Sequence, residues 1–397
     1  MNAVTMSVSD TRTAPLLERV TLALLLGFAA ALQVSIAAAQ ILLAATVVCW
    51  IALKITDRTR PAAPAFFLPL VAYAAVTLVA SVFSLDPAAS LFDSRQLLLF
   101  AVVPAVYDIA RGSRASTVID VIVTVGAASA AFGIIQYGVL HYDNLGQRPD
   151  GWLSHYMTYS GVLMLVLCAA VARLVFGARD RMWPALVMPA LVVALVLTST
   201  RSAWIGASAA VGLLLLLKDF RLAAVLPLVL AALFIVAPAN VADRMSAAFS
   251  DRDPATLDRL AMIEVGARMI ADHPLTGVGP EMVPRVYEQY RPDYAVNASN
   301  PHLHNVPIQI AAERGLPALA TWLWFLGVLA VGLVRQFRQG RDRVLAATAL
   351  AAGVAMLSAG LFEYNFGDSE FLMLFLVLIT LPFAAVRTDH AAATHSA

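Results

Sequence analysis

Residues 157–176, MTYSGVLMLVLCAAVARLVF, contain a single charged side chain, Arg173. A helix needs about 20 mostly apolar residues to cross the hydrocarbon core of a bilayer. Similar stretches recur along the chain, so the sequence predicts an all-α integral membrane protein with about twelve transmembrane helices. The predicted spans are residues 16–32, 35–54, 66–84, 96–110, 117–140, 157–176, 183–199, 202–217, 222–238, 316–334, 344–362 and 370–386.

The composition agrees with a chain whose solvent is lipid. Of its 397 residues, 60% are hydrophobic and 13% are charged, whereas a soluble domain carries roughly 25% charged residues. A soluble chain of this length could not bury so much apolar surface. The net charge of +1 gives no reason to expect a nucleic-acid partner, and the two cysteines, Cys49 and Cys168, lie inside apolar stretches that predict helix packing.

Positive charge in the loops predicts the orientation of the chain. With the N-terminus placed in the cytoplasm, 17 of the 27 basic residues fall on the cytoplasmic side, and seven of the remaining ten lie in one long segment, residues 238–315. The short loops of the far side hold only Arg95, Arg148 and Arg201. We therefore predict that both termini are cytoplasmic and that the long segment is extracytoplasmic.

This topology divides the chain into three parts. Residues 1–238 are predicted to carry nine transmembrane helices, residues 239–315 a polar loop, and residues 316–397 three further helices and a cytoplasmic C-terminus. Within the loop, helical periodicity runs from Ala255 to Ile270. A second short helix is predicted from Met282 to Tyr290. Polar helices that lie on a bilayer suggest a cap over an intramembrane cavity.

A third loop helix is predicted from about Pro301 to Arg314, with Gly315 as its cap. In this helix His304 and Ile308 would share one face. A histidine near neutral pH can take a proton from a hydroxyl group, and Asn305 could orient either a sugar or the imidazole. A His-x-His pair such as His302 and His304 fits a solvated loop as well, so the pattern alone leaves both interpretations open.

Arg201 follows Thr198-Ser199-Thr200 at a predicted membrane edge. A guanidinium group at a helix start can hold a phosphate bidentately, and free backbone N–H groups would assist it. An interfacial arginine that contacts lipid headgroups explains the same residue equally well.

Further polar side chains on the far side have two possible roles. Arg259 and Arg268 lie on the predicted loop helix and could each clamp a phosphate, or they could be solvated helix charges. Arg148, in a loop with Trp152, suits phosphate and sugar contacts or simple loop packing. The carboxylates at the last extracytoplasmic turn could pair with arginines or bind sugar hydroxyls; they are Glu363, Asp368 and Glu370.

The motifs together resemble those of the O-antigen ligase and polymerase family, over most of the chain. The most specific match is His304-Asn305 followed by Gly315, and Thr200-Arg201-Ser202 resembles the family's Ser-Arg turn. The stretch 273–279, HPLTGVG, resembles its His-Pro-x-x-Gly-x-Gly segment, and Arg259 stands where the family commonly has a loop arginine. The chain departs from the family after Gly315, where Pro317-Ala318 replaces a frequent glycine.

The resemblance implies a glycosyltransferase of the bacterial inner membrane, with an architecture like that of the C-type enzymes and a periplasmic catalytic loop. Such ligases move a glycan from undecaprenyl diphosphate to the lipid A core oligosaccharide. They use neither a nucleotide nor, by resemblance, a metal ion or cofactor. The sequence likewise has no P-loop or Rossmann fingerprint.

The implied chemistry assigns a role to each candidate residue. Arg201 and Arg259 would stabilise the diphosphate leaving group, and His304 would be the general base of a single inverting displacement. The expected substrate contacts are Asn305, Arg148, Arg268 and His302, of which His302 is the alternative base.

Two other functions remain open from the sequence. An O-antigen polymerase would use the same donor with a glycan chain as acceptor. A twelve-helix secondary transporter belongs to a different class, and such proteins usually carry ionisable residues or broken helices near the midplane. Here the charges gather at the extracytoplasmic edge, which favours the ligase.

Overall fold

The computed structural model describes residues 10–144, 146–178, 181–236, 238–246 and 254–387, and the regular elements of that part of the chain are helices. The α-helices are α1 Asp10–Ala31, α2 Ile36–Thr56, α3 Phe67–Val82, α4 Pro87–Asp93, α5 Val102–Ile109, α6 Arg114–Gly138, α7 Tyr156–Phe176, α8 Met182–Leu197, α9 Arg201–Lys218, α10 Val225–Val236, α11 Ala239–Ser246, α12 Pro254–Asp272, α13 Val283–Tyr290, α14 Val306–Gln339, α15 Arg343–Gly360 and α16 Ser369–Ala385. Short 3-10 helices are Ser94–Ala101, Phe220–Ala224 and Asn365–Gly367.

The prediction of an all-α membrane protein is confirmed, because each of the twelve predicted spans overlaps a helix. Seven helical segments of the described chain are long and apolar enough to cross a bilayer: Ile36–Thr56, Pro87–Ile109, Arg114–Gly138, Tyr156–Phe176, Arg201–Lys218, Val306–Gln339 and Arg343–Gly360. Four apolar helices are shorter: Phe67–Val82, Met182–Leu197, Phe220–Ile235 and Ser369–Ala385. The first predicted span falls on α1, which is in neither group.

Helix α7 forms the centre of the bundle. Its most apolar 18-residue window is 78% buried, against 22% for that of α2, and it packs against α6, α8, α9, α15 and α16. Helices come close where a small residue faces a neighbour. A Cβ atom on Gly206 of α9 would lie 2.8 Å from the carbonyl oxygen of Ala355 and 2.4 Å from Sδ of Met164. This close packing fixes α9, and with it the arginine at its first residue.

The chain reverses between α8 and α9 within three residues. Ser199 has φ of 53°, in the left-handed region, and Thr198 donates a hydrogen bond to the carbonyl of Leu195 at 2.7 Å. The indole of Trp204 donates to the same carbonyl at 3.1 Å. The turn therefore holds Arg201 at the face of the bundle that carries α12 and α13, which we call the loop face.

The two predicted loop helices are confirmed by α12 and α13. They pack on each other and form a second hydrophobic core, separate from that of the bundle, whose buried members include Met262, Val265, Val286, Tyr287 and Leu303. The loop segment is therefore a folded layer.

The prediction for the third loop helix is wrong at its start. The helix begins at Val306, and Asn305 caps it by accepting a hydrogen bond from the N–H of Ile308 at 3.0 Å. His304 precedes the helix and has φ of 46°, so it does not share a helix face with Ile308. Proline at the second helical position and an Asn cap are the expected start signals, and they outweigh the proline further upstream.

Helix α14 consists of two helical segments that meet at a break at Gly315. Gly315 has φ of 80° and ψ of 169°, a combination that is essentially restricted to glycine. Pro317 has no N–H to give the carbonyl of Glu313, and the N–H of Gly279 takes its place at 2.9 Å. The predicted boundary between residues 315 and 316 falls at this break.

The stretch 273–279 wraps around the break and completes its hydrogen bonds. Val278 donates to the carbonyl of Ala312 at 2.9 Å, and Leu316 donates to the carbonyl of Pro274 at 2.8 Å. A Cβ atom on Gly277 would lie 2.5 Å from the carbonyl oxygen of Glu313. Gly277 is thus required by backbone against backbone contact, and Gly279 by its φ of 109°.

We expect Gly315→Ala to destabilise the protein, because the backbone there is strained for any other residue and the new Cβ would lie 2.2 Å from the carbonyl oxygen of Leu275. Strain of this kind costs about 1–3 kcal/mol before the clash is counted. The measurement is the melting temperature of the detergent-purified protein. Gly327→Ala is the matched control, since its Cβ would meet nothing within 4 Å. Equal melting temperatures of the two variants would contradict the requirement for glycine at position 315.

Candidate functional site

Arg201, Arg259 and His304 line one cavity of about 730 Å³ at the loop face. They come from α9, from α12 and from the chain just before α14. The rest of the lining is mainly hydrophobic and includes Trp204, Ile205, Leu230, Leu260, Ile263 and Phe362. We call this space the apolar cavity. Three residues predicted from separate parts of the sequence therefore meet at one place.

Arg201 combines a buried guanidinium group with the start of a helix. It is the first residue of α9 and is buried, with 8% of its surface exposed. The helix N-terminus carries a partial positive charge and unbonded N–H groups, which favour an anion and disfavour a second cation. The combination of buried guanidinium and helix start thus suits a phosphate or diphosphate group.

The two arginines of α12 are placed differently. Arg259 is half-buried and lines the apolar cavity. Arg268 is exposed, forms a salt bridge with Glu264 at 2.5 Å, and donates to the carbonyl of Tyr290 at 3.1 Å. The structure therefore does not bring Arg268 to the other predicted site residues.

A carboxylate lies between the two histidines. Nδ1 of His304 is 3.1 Å from both carboxylate oxygens of Glu363, and Nε2 of His302 is 3.3 Å from its Oε1. The backbone N–H of Tyr364 donates to the same Oε1 at 3.0 Å. Burial acts to raise the pKa of Glu363, but the hydrogen bonds with His302 and His304 outweigh it and hold this pKa below the usual range. An ionised Glu363 that accepts the Nδ1 proton leaves Nε2 of His304 with a lone pair, as a general base requires.

The same cluster has the composition of a metal site. One ligand atom each from His302, His304 and Glu363 lies within 4.8 Å of the others, and imidazole nitrogens with a carboxylate oxygen suit zinc and related ions. Hydrogen bonds between the two imidazoles and the carboxylate of Glu363 also account for the positions of these atoms.

Glu363 was recognised from the sequence only as a carboxylate that could pair with arginines or sugar hydroxyls. Its partners are His304 and His302, which lie 59 and 61 residues earlier in the chain. No local sequence pattern predicts this pairing. Asp368 has a structural role, since it caps α16 by accepting from the N–H of Phe371 at 2.9 Å. It also accepts a hydrogen bond from the hydroxyl of Thr158.

Two predicted substrate contacts have structural partners. Asn305 lines the apolar cavity, but its amide also caps α14 and donates to the carbonyl of Leu361 at 3.1 Å. Arg148 stacks on the ring of Tyr156 at 3.4 Å and does not line the apolar cavity. Burial lowers the pKa of Arg148. The structure therefore places Asn305 at the site and Arg148 away from it.

A second cavity of about 270 Å³, the polar cavity, lies on the other side of the histidine cluster. His302 and Glu363 line it, whereas His304 lines the apolar cavity. Its wall also holds a buried ion pair in which Nη1 of Arg314 is 2.7 Å from Oε2 of Glu313. The cluster therefore presents one face to each cavity.

Comparison with known families adds an independent observation. The family described as O-antigen ligase matches residues 184–323. This range contains Arg201, Arg259 and His304, and Glu363 lies beyond it. No curated protein sequence matches the chain.

For the glycosyl transfer that the family match indicates, we expect Glu363→Gln to reduce the rate by about 10²- to 10⁴-fold, the contribution typical of a positioned acid or base. The amide can no longer accept the Nδ1 proton of His304 with a negative charge, so the imidazole loses the ionic contact that orients it. The measurement is transfer by purified protein at equal amounts. Glu370→Gln, on the next helix, is the matched control, and equal activity of the two variants would remove Glu363 from the site.

Proposed function

We propose that this protein transfers a glycan from undecaprenyl diphosphate to the lipid A core oligosaccharide, because residues 184–323 match the family described as O-antigen ligase. The family match supports a glycosyl transfer reaction of the ligase or polymerase type in lipopolysaccharide biosynthesis. The observation that carries the proposal is the meeting of Arg201, Arg259 and His304 in one apolar cavity.

The donor suits the apolar cavity in both of its chemical parts. A polyprenyl chain is hydrophobic and fits the lining between α9, α10 and α12, while its diphosphate fits the two guanidinium groups. Guanidinium groups bind phosphate oxygens bidentately and can stabilise the charge that develops on a leaving diphosphate. The lining includes no carboxylate from the described residues that would repel this anion.

The transfer needs one base and one displacement. Nε2 of His304 takes the proton of an acceptor hydroxyl, whose oxygen attacks the anomeric carbon of the donor sugar. The bond from that carbon to the diphosphate oxygen breaks, and undecaprenyl diphosphate leaves with the electron pair. A single displacement inverts the anomeric configuration. Asn305 positions the base by fixing the start of α14.

We place the site at the periplasmic face of the bacterial inner membrane, with both termini in the cytoplasm. The distribution of 17 of 27 basic residues to the opposite side supports this orientation. The polymerase reaction remains the second candidate, because it uses the same donor and the family match supports both reaction types.

Complementation of a ligase-deficient strain tests the function. We expect wild-type protein to restore polymer-bearing lipopolysaccharide on a gel, and a His304→Ala variant at equal membrane level to fail, because the acceptor hydroxyl then has no base. His302→Ala is the comparator, and a defect in that variant alone would move the base to His302. If wild type instead corrects a polymerase-deficient strain that accumulates single repeats, the polymerase reaction replaces the ligase reaction.

Arg201→Ala should reduce transfer by about 10²–10³-fold, the cost of losing one donor to a developing negative charge. Arg268→Ala, which removes an exposed guanidinium of α12, should transfer like wild type. Purified proteins of equal amount are compared with the same donor. Wild-type transfer by Arg201→Ala would exclude Arg201 as a diphosphate clamp.

We propose that the reaction is independent of metal ions, because Arg201 and Arg259 can supply the positive charge at the diphosphate. Dialysis against a strong chelator should leave transfer unchanged. Because His302, His304 and Glu363 could hold an ion, strong inhibition that added zinc or manganese reverses would refute this part of the proposal.

A further inference from the structure

The polar cavity and the apolar cavity have opposite charge. Carboxylates of Asp93, Glu281, Glu313, Glu363 and Asp368 line the polar cavity together with one guanidinium, that of Arg314. The apolar cavity has two guanidinium groups and no carboxylate in its described lining. A diphosphate is therefore attracted to one cavity and repelled by the other.

Arg314 supplies the guanidinium group of the polar cavity and is held there by carboxylates. The residue is 5% exposed, and its Nη atoms face Glu313 at 2.7 Å and Asp93 at 3.7 Å. Its buried Nε has no hydrogen-bond partner among the described residues. A buried donor without an acceptor is costly.

The shape and the donor and acceptor groups of the cavity fit a sugar. Small-molecule sites usually measure about 300–1,000 Å³, so a space of about 270 Å³ holds one ring and not an oligosaccharide. Carboxylates accept hydrogen bonds from hydroxyl groups, and Arg314 donates them. His302 and the carboxylate of Glu363 would then border the ring.

We propose that the polar cavity binds one uncharged sugar ring through its hydroxyl groups. The proposal rests on the proposed glycosyl transfer and adds where the reacting sugar lies. The ring can come from two sources, the terminal sugar of the acceptor or the first sugar of the donor glycan. In either case the acidic lining disfavours a phosphate group inside the polar cavity, so the diphosphate of the donor would stay in the apolar cavity.

Two variants of the full-length protein test the site. Met157→Trp fills part of the polar cavity from the start of α7. Asp93→Asn removes one carboxylate charge at nearly constant shape. Met182→Trp is the matched control, because Met182 lies at the start of α8 and is 83% exposed.

The probes are the core oligosaccharide released from lipopolysaccharide by mild acid, undecaprenyl diphosphate, and undecaprenyl diphosphate with its glycan, each bound to purified protein in nanodiscs. We expect wild type and Met182→Trp to bind the oligosaccharide, Met157→Trp to bind it at least ten-fold more weakly and Asp93→Asn several-fold more weakly. All four proteins should bind undecaprenyl diphosphate equally. This result identifies the acceptor as the source of the ring.

A second result would identify the donor as the source. Wild type would then bind the glycan-bearing donor more tightly than undecaprenyl diphosphate, and both cavity variants would lose this difference. If both variants bind all three probes like wild type, or if inorganic pyrophosphate displaces the oligosaccharide, the proposal is overturned. If wild type binds the oligosaccharide in the polar cavity but fails complementation, the sugar site stands and the proposed function fails.

Discussion

The carboxylate of Glu363 joins the two halves of the candidate site. It lies in the turn between α15 and α16, and it accepts from imidazoles that precede α14. His304 can occupy its left-handed backbone conformation because Glu363 on one side and the Asn305 cap on the other fix the chain around it. Strained backbone of this type persists only where the surroundings over-determine it. The position of Nε2 in the apolar cavity follows from these contacts.

The break at Gly315 connects this cluster to the folded loop layer. An unbroken α14 would leave the carbonyl of Glu313 without a donor, because Pro317 has no N–H. The stretch 273–279 supplies the missing N–H groups and is held in return by Leu316. The two glycine-bearing motifs that resemble the O-antigen ligase family are therefore two sides of one backbone contact. Pro317, where this chain departs from the family, fits the same arrangement.

Separation of charge organises the loop face. Cationic and hydrophobic groups line the apolar cavity, and acidic groups line the polar cavity, with the histidines and Glu363 between them. Electrostatic attraction would thus direct a lipid diphosphate to the apolar cavity and leave the polar cavity to a neutral sugar. The reacting atoms of the two substrates would meet at the cluster, which is where a proton acceptor is needed.

The sequence by itself determined the fold class, the positions of the apolar helices and two of the loop helices. It also named Arg201, Arg259 and His304 as candidate site residues, and the structure brings them to one cavity. Spans of about 20 apolar residues and helical periodicity are local properties, so they can be read along the chain. The tertiary structure alone decided that Glu363 pairs with His302 and His304 and that Arg268 lies away from the cavity that Arg201, Arg259 and His304 line. It also decided that helix α14 begins at Val306 and not near Pro301. These outcomes depend on contacts between residues far apart in the chain, or on competition between capping signals, and local pattern does not encode either.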